Sequence, residues 1–397
     1  MKTKQRMASI RESRPVRNPK GEDQMRQLVC LAVGLLLCAV HGLVPANAQS
    51  MYKAAGYPGG DASVKINACI AAVIAAGGGV CDASGLGGPQ KMSQEIRLGS
   101  TASVAARIGI TLLLPDTAMW TWHLTDGSSC GIYQFSSTSI LGQQPGGGGN
   151  RMVLAATSGS KMDSIYCTDA PSDGANYIRA EGFAVWNNQA GSTFANGVVH
   201  IRSAVDQCTF KRIFAENYYG DVWHIDSACC GVSFESIHAT SNGSIVKNGS
   251  KGGVPLTIGP GHVRSVSFYD ASVNQPGTGS PDIMIRGGGV MAVSFFNLYM
   301  EGNGGIDADT PMVYIGKDVG PVHFFGGMGN TEQGHLTSTK TVFENHGAVL
   351  DISAFETVNT TLGINDVTAG TKVPTQAFKG NLGTISLYRT NSTANPR

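Results

Sequence analysis

The sequence predicts an all-β protein, a right-handed parallel β-helix with a short N-terminal capping helix. Three observations lead there. The chain has 397 residues, of which 42% are hydrophobic, 14% are charged and 53 are glycine; so little charge with so much apolar residue and glycine excludes disorder and coiled coil. From residue 177 onward no long segment has helical periodicity, and short apolar segments recur every 24–33 residues instead. An Ala-rich stretch upstream has helical spacing and ends in consecutive glycines.

Residues 1–48 read as a leader. Met25-Arg26 opens an apolar run from Leu28 to Val44 that ends in Pro45-Ala46-Asn47-Ala48, the small-residue pattern of a signal-peptidase site. The signal peptide is therefore 25–48, with Met25 as initiator, and 49–397 forms a single domain. A membrane anchor is the alternative reading of the same run, which is short for a span. Removal predicts a secreted or periplasmic protein with no remaining membrane contact. It also leaves a net charge of about −4, which argues against nucleic acid as a partner.

Asp61 to Ala76 carries apolar residues at helical spacing behind an Asp suited to capping, and Gly77-Gly78-Gly79-Val80 ends it. An Asp-initiated short helix, a Gly-Gly-Gly-Val break and then a strand resemble the N-terminal cap of pectate-lyase-like proteins, the group related to glycosyl-hydrolase family 28. The likeness covers about 30 residues at the cap, and the coil pattern extends it at the level of architecture. It implies a parallel β-helix that acts on polysaccharide.

The coils are legible as Val198-Val-His-Ile201, Val222-Trp-His-Ile225, Pro255-Leu-Thr-Ile258, Asp282-Ile-Met-Ile285, Met312-Val-Tyr-Ile315 and Thr341-Val-Phe343. Steps of 24, 33, 27, 30 and 28 residues separate these anchors. A second apolar landmark follows each anchor: Phe210, Phe234, Phe268, Phe295, Phe324 and Ile352. An asparagine then marks a polar corner in every copy, at Asn217, Asn242, Asn274, Asn303, Asn330 and Asn359, where left-handed backbone and amide ladders suit it. One coil cannot bury its own apolar face, but coils stacked about 4.8 Å apart make a continuous core. An ordinary β-sandwich with coincidental spacing is the competing fold.

Seven cysteines remain after the leader, an odd number, so at least one stays unpaired within the chain. Proximity in sequence pairs Cys69 with Cys81 and Cys130 with Cys167. No Cys/His spacing suits zinc, and no metal or cofactor is expected. Gly302-Asn-Gly-Gly-Ile-Asp-Ala-Asp309 could offer oxygens to Ca²⁺, although a corner is the simpler reading. Gly127-Ser128-Ser129-Cys130-Gly131 matches GxSxG but reads as a turn, and Gly146–Gly149 reads as a flexible connection.

Alternation along a strand places the neighbours of an inward anchor on the outside. The column before the anchors is His200, His224, Thr257, Met284, Tyr314, and the column after is Arg202, Asp226, Gly259, Arg286, Gly316. His200, Arg202, His224 and Asp226 should thus form an exposed square on two coils, with Arg286 two coils on. His224 is the expected base, Asp226 its carboxylate, and Arg202 or Arg286 the clamp for a substrate carboxylate. A surface salt-bridge ladder is the alternative. A further column, Glu216, Thr240, Asn274, Glu301, Asn330, puts Glu216 and Glu301 about 14 Å apart, too far to act as a hydrolytic pair. Glu216 is the alternative acid, with Asp221 or Asp226 as partner, and Glu301 would need Asp307 or Asp309. Trp186, Tyr218 and Tyr219 could stack on sugar rings, and Asp221 and Glu301 could bind hydroxyls.

The motifs of the polygalacturonase-type relatives are mostly missing. Gly261-His262-Val263 is half of Gly-His-Gly, Ile285-Arg286-Gly287 is a trace of Arg-x-Lys, and no Asp-Asp pair occurs. The expectation is a carbohydrate-active enzyme, either glycoside hydrolase or polysaccharide lyase, with substrate along the outer face. The alternative is a non-catalytic glycan-binding or adhesin-type β-helix. Monomer and homotrimer both remain open, the latter in the manner of tail fibres.

Overall fold

A computed structural model describes residues 50–100, 108–143, 151–168, 176–241, 253–277, 279–301, 310–330, 338–358, 360–368, 370–374 and 384–387. The leader, Gly146–Gly149, the Gly302–Asp309 segment, Asn242, Asn303 and Asn359 lie outside them. The chain is a right-handed parallel β-solenoid of about 9 turns, with 54% of residues in strands.

At its start stands helix α1, Ala62–Ala75. Asp61 caps it, its Oδ1 accepting from the backbone N–H of Ser63 at 2.8 Å and of Val64 at 3.2 Å. Gly77, Gly78 and Gly79 turn the chain out of the helix with φ of 81°, 125° and 138°. At Gly79 a Cβ would meet the Ser50 carbonyl oxygen at 2.5 Å, so the entry to the first coil admits no side chain. The Cys69–Cys81 disulfide ties the helix to that coil.

Two large parallel sheets carry the coils. An eleven-stranded sheet holds the anchors, and an eighteen-stranded sheet holds the landmarks. Ile201, Ile225, Ile258, Ile285 and Ile315 lie in one register on the anchor sheet, all fully buried. Phe210, Phe234, Phe268, Phe295 and Phe324 form an internal stack with centroids 5.0, 4.7, 4.7 and 4.8 Å apart, and Ile352 continues their register. The ring spacing equals the coil spacing, so each phenyl covers the face of the next and the column is solid hydrocarbon.

The sixth anchor departs from expectation. Ile315 pairs with Asn345, and Phe343 pairs with Val313. A slip of two residues keeps the same face inward, so apolar pattern alone cannot detect it.

The asparagine corners also need correction. The expected amide ladder exists where Asn187 Nδ2 donates to Asn217 Oδ1 at 2.9 Å. Asn274 instead donates to Ser272 Oγ within its own coil. The left-handed bend lies elsewhere, in a column that splits the landmark sheet into two ladders: Gly182, Arg212, Ser236, Asp270, Asn297, Gly326 and Ala354, with φ between 50° and 78°. Only two of these seven are glycine. The others accept a conformation that costs about 1–2 kcal/mol for an ordinary residue, because the stacked coils on either side fix the bend.

The cysteines resolve as Cys69–Cys81, Cys130–Cys167 and Cys229–Cys230, with Cys208 buried and reduced. At the C-terminal end, Thr384–Leu387 runs antiparallel onto Leu350–Val358 and covers part of the last exposed strand edge.

Candidate functional site: an Asp–His–Asp–His relay

The registers His200↔His224↔Thr257↔Met284↔Tyr314 fall as the alternation predicts. The side chains point away from the core, yet the two imidazoles of the square are buried, while Arg202 and Asp226 stay partly exposed. His200 is 4% and His224 9% accessible. They are covered because each ring is packed among charged partners instead of standing free in solvent.

His200 bridges two carboxylates. Its Nδ1 lies 2.8 Å from Asp163 Oδ2 and its Nε2 2.8 Å from Asp226 Oδ2. Asp226 Oδ1 reaches His224 Nε2 at 2.9 Å, and the same nitrogen lies 3.2 Å from the Gly259 carbonyl. Both neighbours of that nitrogen are acceptors, so the neutral His224 ring carries its proton on Nε2 and presents Nδ1 as the basic atom. Four residues on consecutive coils thus form one chain: Asp163, His200, Asp226, His224.

Burial disfavours charge on His200, but hydrogen bonds and attraction from Asp163 and Asp226 outweigh it and raise the ring above its ordinary value. Burial likewise opposes ionisation of Asp226, yet its bonds to His200 and His224 hold it well below the usual carboxylate range. Asp163 is lowered too, since His200, Arg202 and Asn196 together overcome its burial. Both carboxylates thus favour their ionised form, and the His200 ring between them is biased toward holding its second proton.

Arg202 is committed to the same network. Its Nη2 lies 3.1 Å from Asp163 Oδ2 and donates to the Ser128 carbonyl at 3.3 Å and to the Tyr133 hydroxyl at 3.2 Å, with the guanidinium over the Tyr133 ring. The Ser128 carbonyl belongs to the GxSxG stretch, which is indeed a turn: Asp126 Oδ1 accepts from the backbone N–H groups of Ser128 and Ser129. Cys130, Asp163 and Cys167 have ligand atoms near one another, but the two sulfurs are joined and Arg202 occupies the cationic place beside Asp163. This cluster does not fit a metal.

Asp163 and Tyr133 were not in the predicted set. Both precede the first recognised anchor, yet Tyr133↔Cys167↔His200 is one register. The expected Cys130–Cys167 link, extended one coil forward, would have led to them.

The remaining predicted residues lie elsewhere. Arg286 is exposed, one residue past the anchor Ile285, and pairs with no described carboxylate. Asp221 Oδ1 accepts from the Val254 N–H at 2.7 Å, which makes it a corner brace between coils. Tyr219 is half-buried, and its N–H donates to Asn217 Oδ1. Trp186 and Glu216 are cross-strand neighbours on the landmark sheet, with Tyr218 two residues beyond Glu216. Burial raises the Glu216 carboxyl, partly opposed by Arg151. Glu301 holds its predicted register between Asn274 and Asn330. The candidates thus divide between two sheets, with the relay on one and the Trp186–Glu216 group on the other.

Fold and relay together define the class: a parallel β-helix with an ionised network on its outer face. No known protein family matches the chain, and no curated protein does. Among solved structures, it is similar to ORF18 of Geobacillus virus E2, with a TM-score of 0.38 and 12% identity over 79% of this chain. The match spans 62% of that protein's length.

Proposed function

We propose that the protein is a polysaccharide lyase that cleaves a uronate-containing chain on the outer face of the solenoid, with His224 as base. The observation that carries this is the relay, in which two carboxylates held ionised share the one imidazole of His200. Glycoside hydrolysis requires a carboxylic acid kept protonated to serve the leaving group. Asp163 and Asp226 are both driven the other way, which counts against hydrolysis here.

Elimination asks for less. His224 Nδ1 takes the proton α to the uronate carboxylate, the electron pair forms the C4–C5 double bond, and the C4–O bond breaks with its oxygen taking a proton from water. Asp226 fixes the His224 ring and stabilises the imidazolium that forms. A cation must neutralise the substrate carboxylate. Arg202 is occupied by Asp163, so Arg286 takes that role, with the sugar chain running along the coil axis toward it. The resemblance of cap and coils to pectate-lyase-like proteins agrees with this reading.

The burial of both imidazoles favours a second reading, a non-catalytic glycan-binding β-helix in which the relay only braces the coils. A panel of uronate and neutral polysaccharides separates the two. Elimination produces reducing ends together with the ultraviolet absorbance of an unsaturated uronate. Reducing ends alone indicate hydrolysis and contradict the proposal. Binding without either signal favours the adhesin.

A further inference from the structure

The outer face of the landmark sheet carries an apolar and aromatic patch that the relay does not use. Two registers define it: Val153↔Ala184↔Phe214↔His238 and Ala155↔Trp186↔Glu216↔Thr240. Outer faces of solenoids are ordinarily polar, yet Val153, Ala155 and Ala184 are buried here, and Trp186 and Phe214 pack on them.

Arg151 reaches across this face, its guanidinium 4.7 Å from the Phe214 ring centre and 6.0 Å from that of Trp186. Cation–π contact satisfies the charge in part but provides no acceptor. Arg151 Nη1 is sealed from solvent and donates to no described group, and no described carboxylate lies within ion-pair distance of the side chain. A buried guanidinium N–H without an acceptor is costly, and such groups call for a partner. The other face of Phe214 is covered by His238, with centroids 4.1 Å apart. Burial and the nearby Arg151 push that ring down to about 4, so it adds no charge at neutral pH.

We infer that this patch is a second carbohydrate site, one that binds an acidic sugar with its carboxylate on Arg151 and its ring against Trp186. The chemistry follows from what is present: a guanidinium N–H with no acceptor among the described residues, and aromatic rings beside small apolar side chains. Glu216 at the rim, beside Trp186, is placed to hydrogen-bond sugar hydroxyls. The site takes only its ligand class from the proposed function; its residues and its sheet are different.

The chain has four tryptophans. Trp120, Trp122 and Trp223 are fully buried, so Trp186 is the one whose fluorescence responds to a surface ligand. Titration with tri-galacturonate and with tri-mannuronate gives a saturable fluorescence change for at least one of them, and with neutral galactotriose a much weaker one. Arg151→Ala raises the dissociation constant by about tenfold or more, as loss of a charge-assisted hydrogen bond requires; Arg151→Gln, which keeps the length of the side chain, does the same if the alanine variant folds poorly. Trp186→Phe abolishes the optical signal, and calorimetry then reports the affinity. His224→Ala leaves the titration unchanged, so failure of the elimination chemistry and failure of this site are separable. The inference is overturned if neither uronate trimer binds, if galactotriose binds as well as the uronates, or if the Arg151 variants bind like the parent.

Discussion

Under the proposed elimination, Asp226→Asn lowers the rate by about 10²- to 10⁴-fold, the usual contribution of a positioned general base. Asp226 accepts from two imidazoles at once, through Oδ2 from His200 and Oδ1 from His224. An asparagine keeps one acceptor and turns an N–H toward the other ring. One imidazole then faces a donor, and His224 loses either its orientation or its Nε2–H tautomer. His224→Ala removes the base itself and costs a similar factor, and the double variant is no worse than either single one, because the two residues act as a unit. Steady-state rates on the uronate polymer, with thermal melts to confirm folding, check this. Variants that melt like the parent and retain full activity would reduce the relay to a structural ladder.

The largest effect on stability is expected at Phe295. It is the fourth of the five stacked rings, fully buried, 4.7 Å from Phe268 and 4.8 Å from Phe324. Truncation to alanine removes a phenyl that two neighbours cover on both faces, and rigid coils cannot collapse into the gap. The expected loss is about 3–5 kcal/mol, read from the midpoint of urea unfolding. Because a solenoid is coupled mainly between adjacent coils, the variant also broadens the transition as the C-terminal coils separate from the rest. The exposed Phe325, next in sequence to a core phenylalanine but on the outer face, serves as the control, and Phe325→Ala shifts the midpoint by far less.

Much of this architecture was legible because its determinants are periodic. Isoleucine and phenylalanine recur at coil intervals, and burial demands it, so Ile201 to Ile315 and Phe210 to Phe324 fall in register. Periodicity also limited the reading. A two-residue slip at Phe343 leaves the apolar pattern unchanged. The left-handed bend at Arg212, Ser236 and Ala354 has no signature, since neighbouring coils impose the conformation on residues that do not prefer it. The site was half-readable for the same reason. His200, Arg202, His224 and Asp226 sit beside anchors and inherit their register, whereas Asp163 lies in an earlier coil whose anchor does not follow the pattern. The burial of His200 and His224 is not legible in the sequence, because alternation says which way a side chain points and nothing about the partners that cover it.

The relay itself can be tested directly by following the ring nitrogens of ¹⁵N-histidine-labelled protein by NMR as pH is varied. Held between Asp163 and Asp226, His200 keeps both ring protons at pH values where a free imidazole, with a pKa near 6.5, has lost one, and Asp226→Asn brings its titration down toward that range. A His200 ring that titrates like a free imidazole and ignores the Asp226 substitution would contradict the relay, and with it the assignment of His224 as the base.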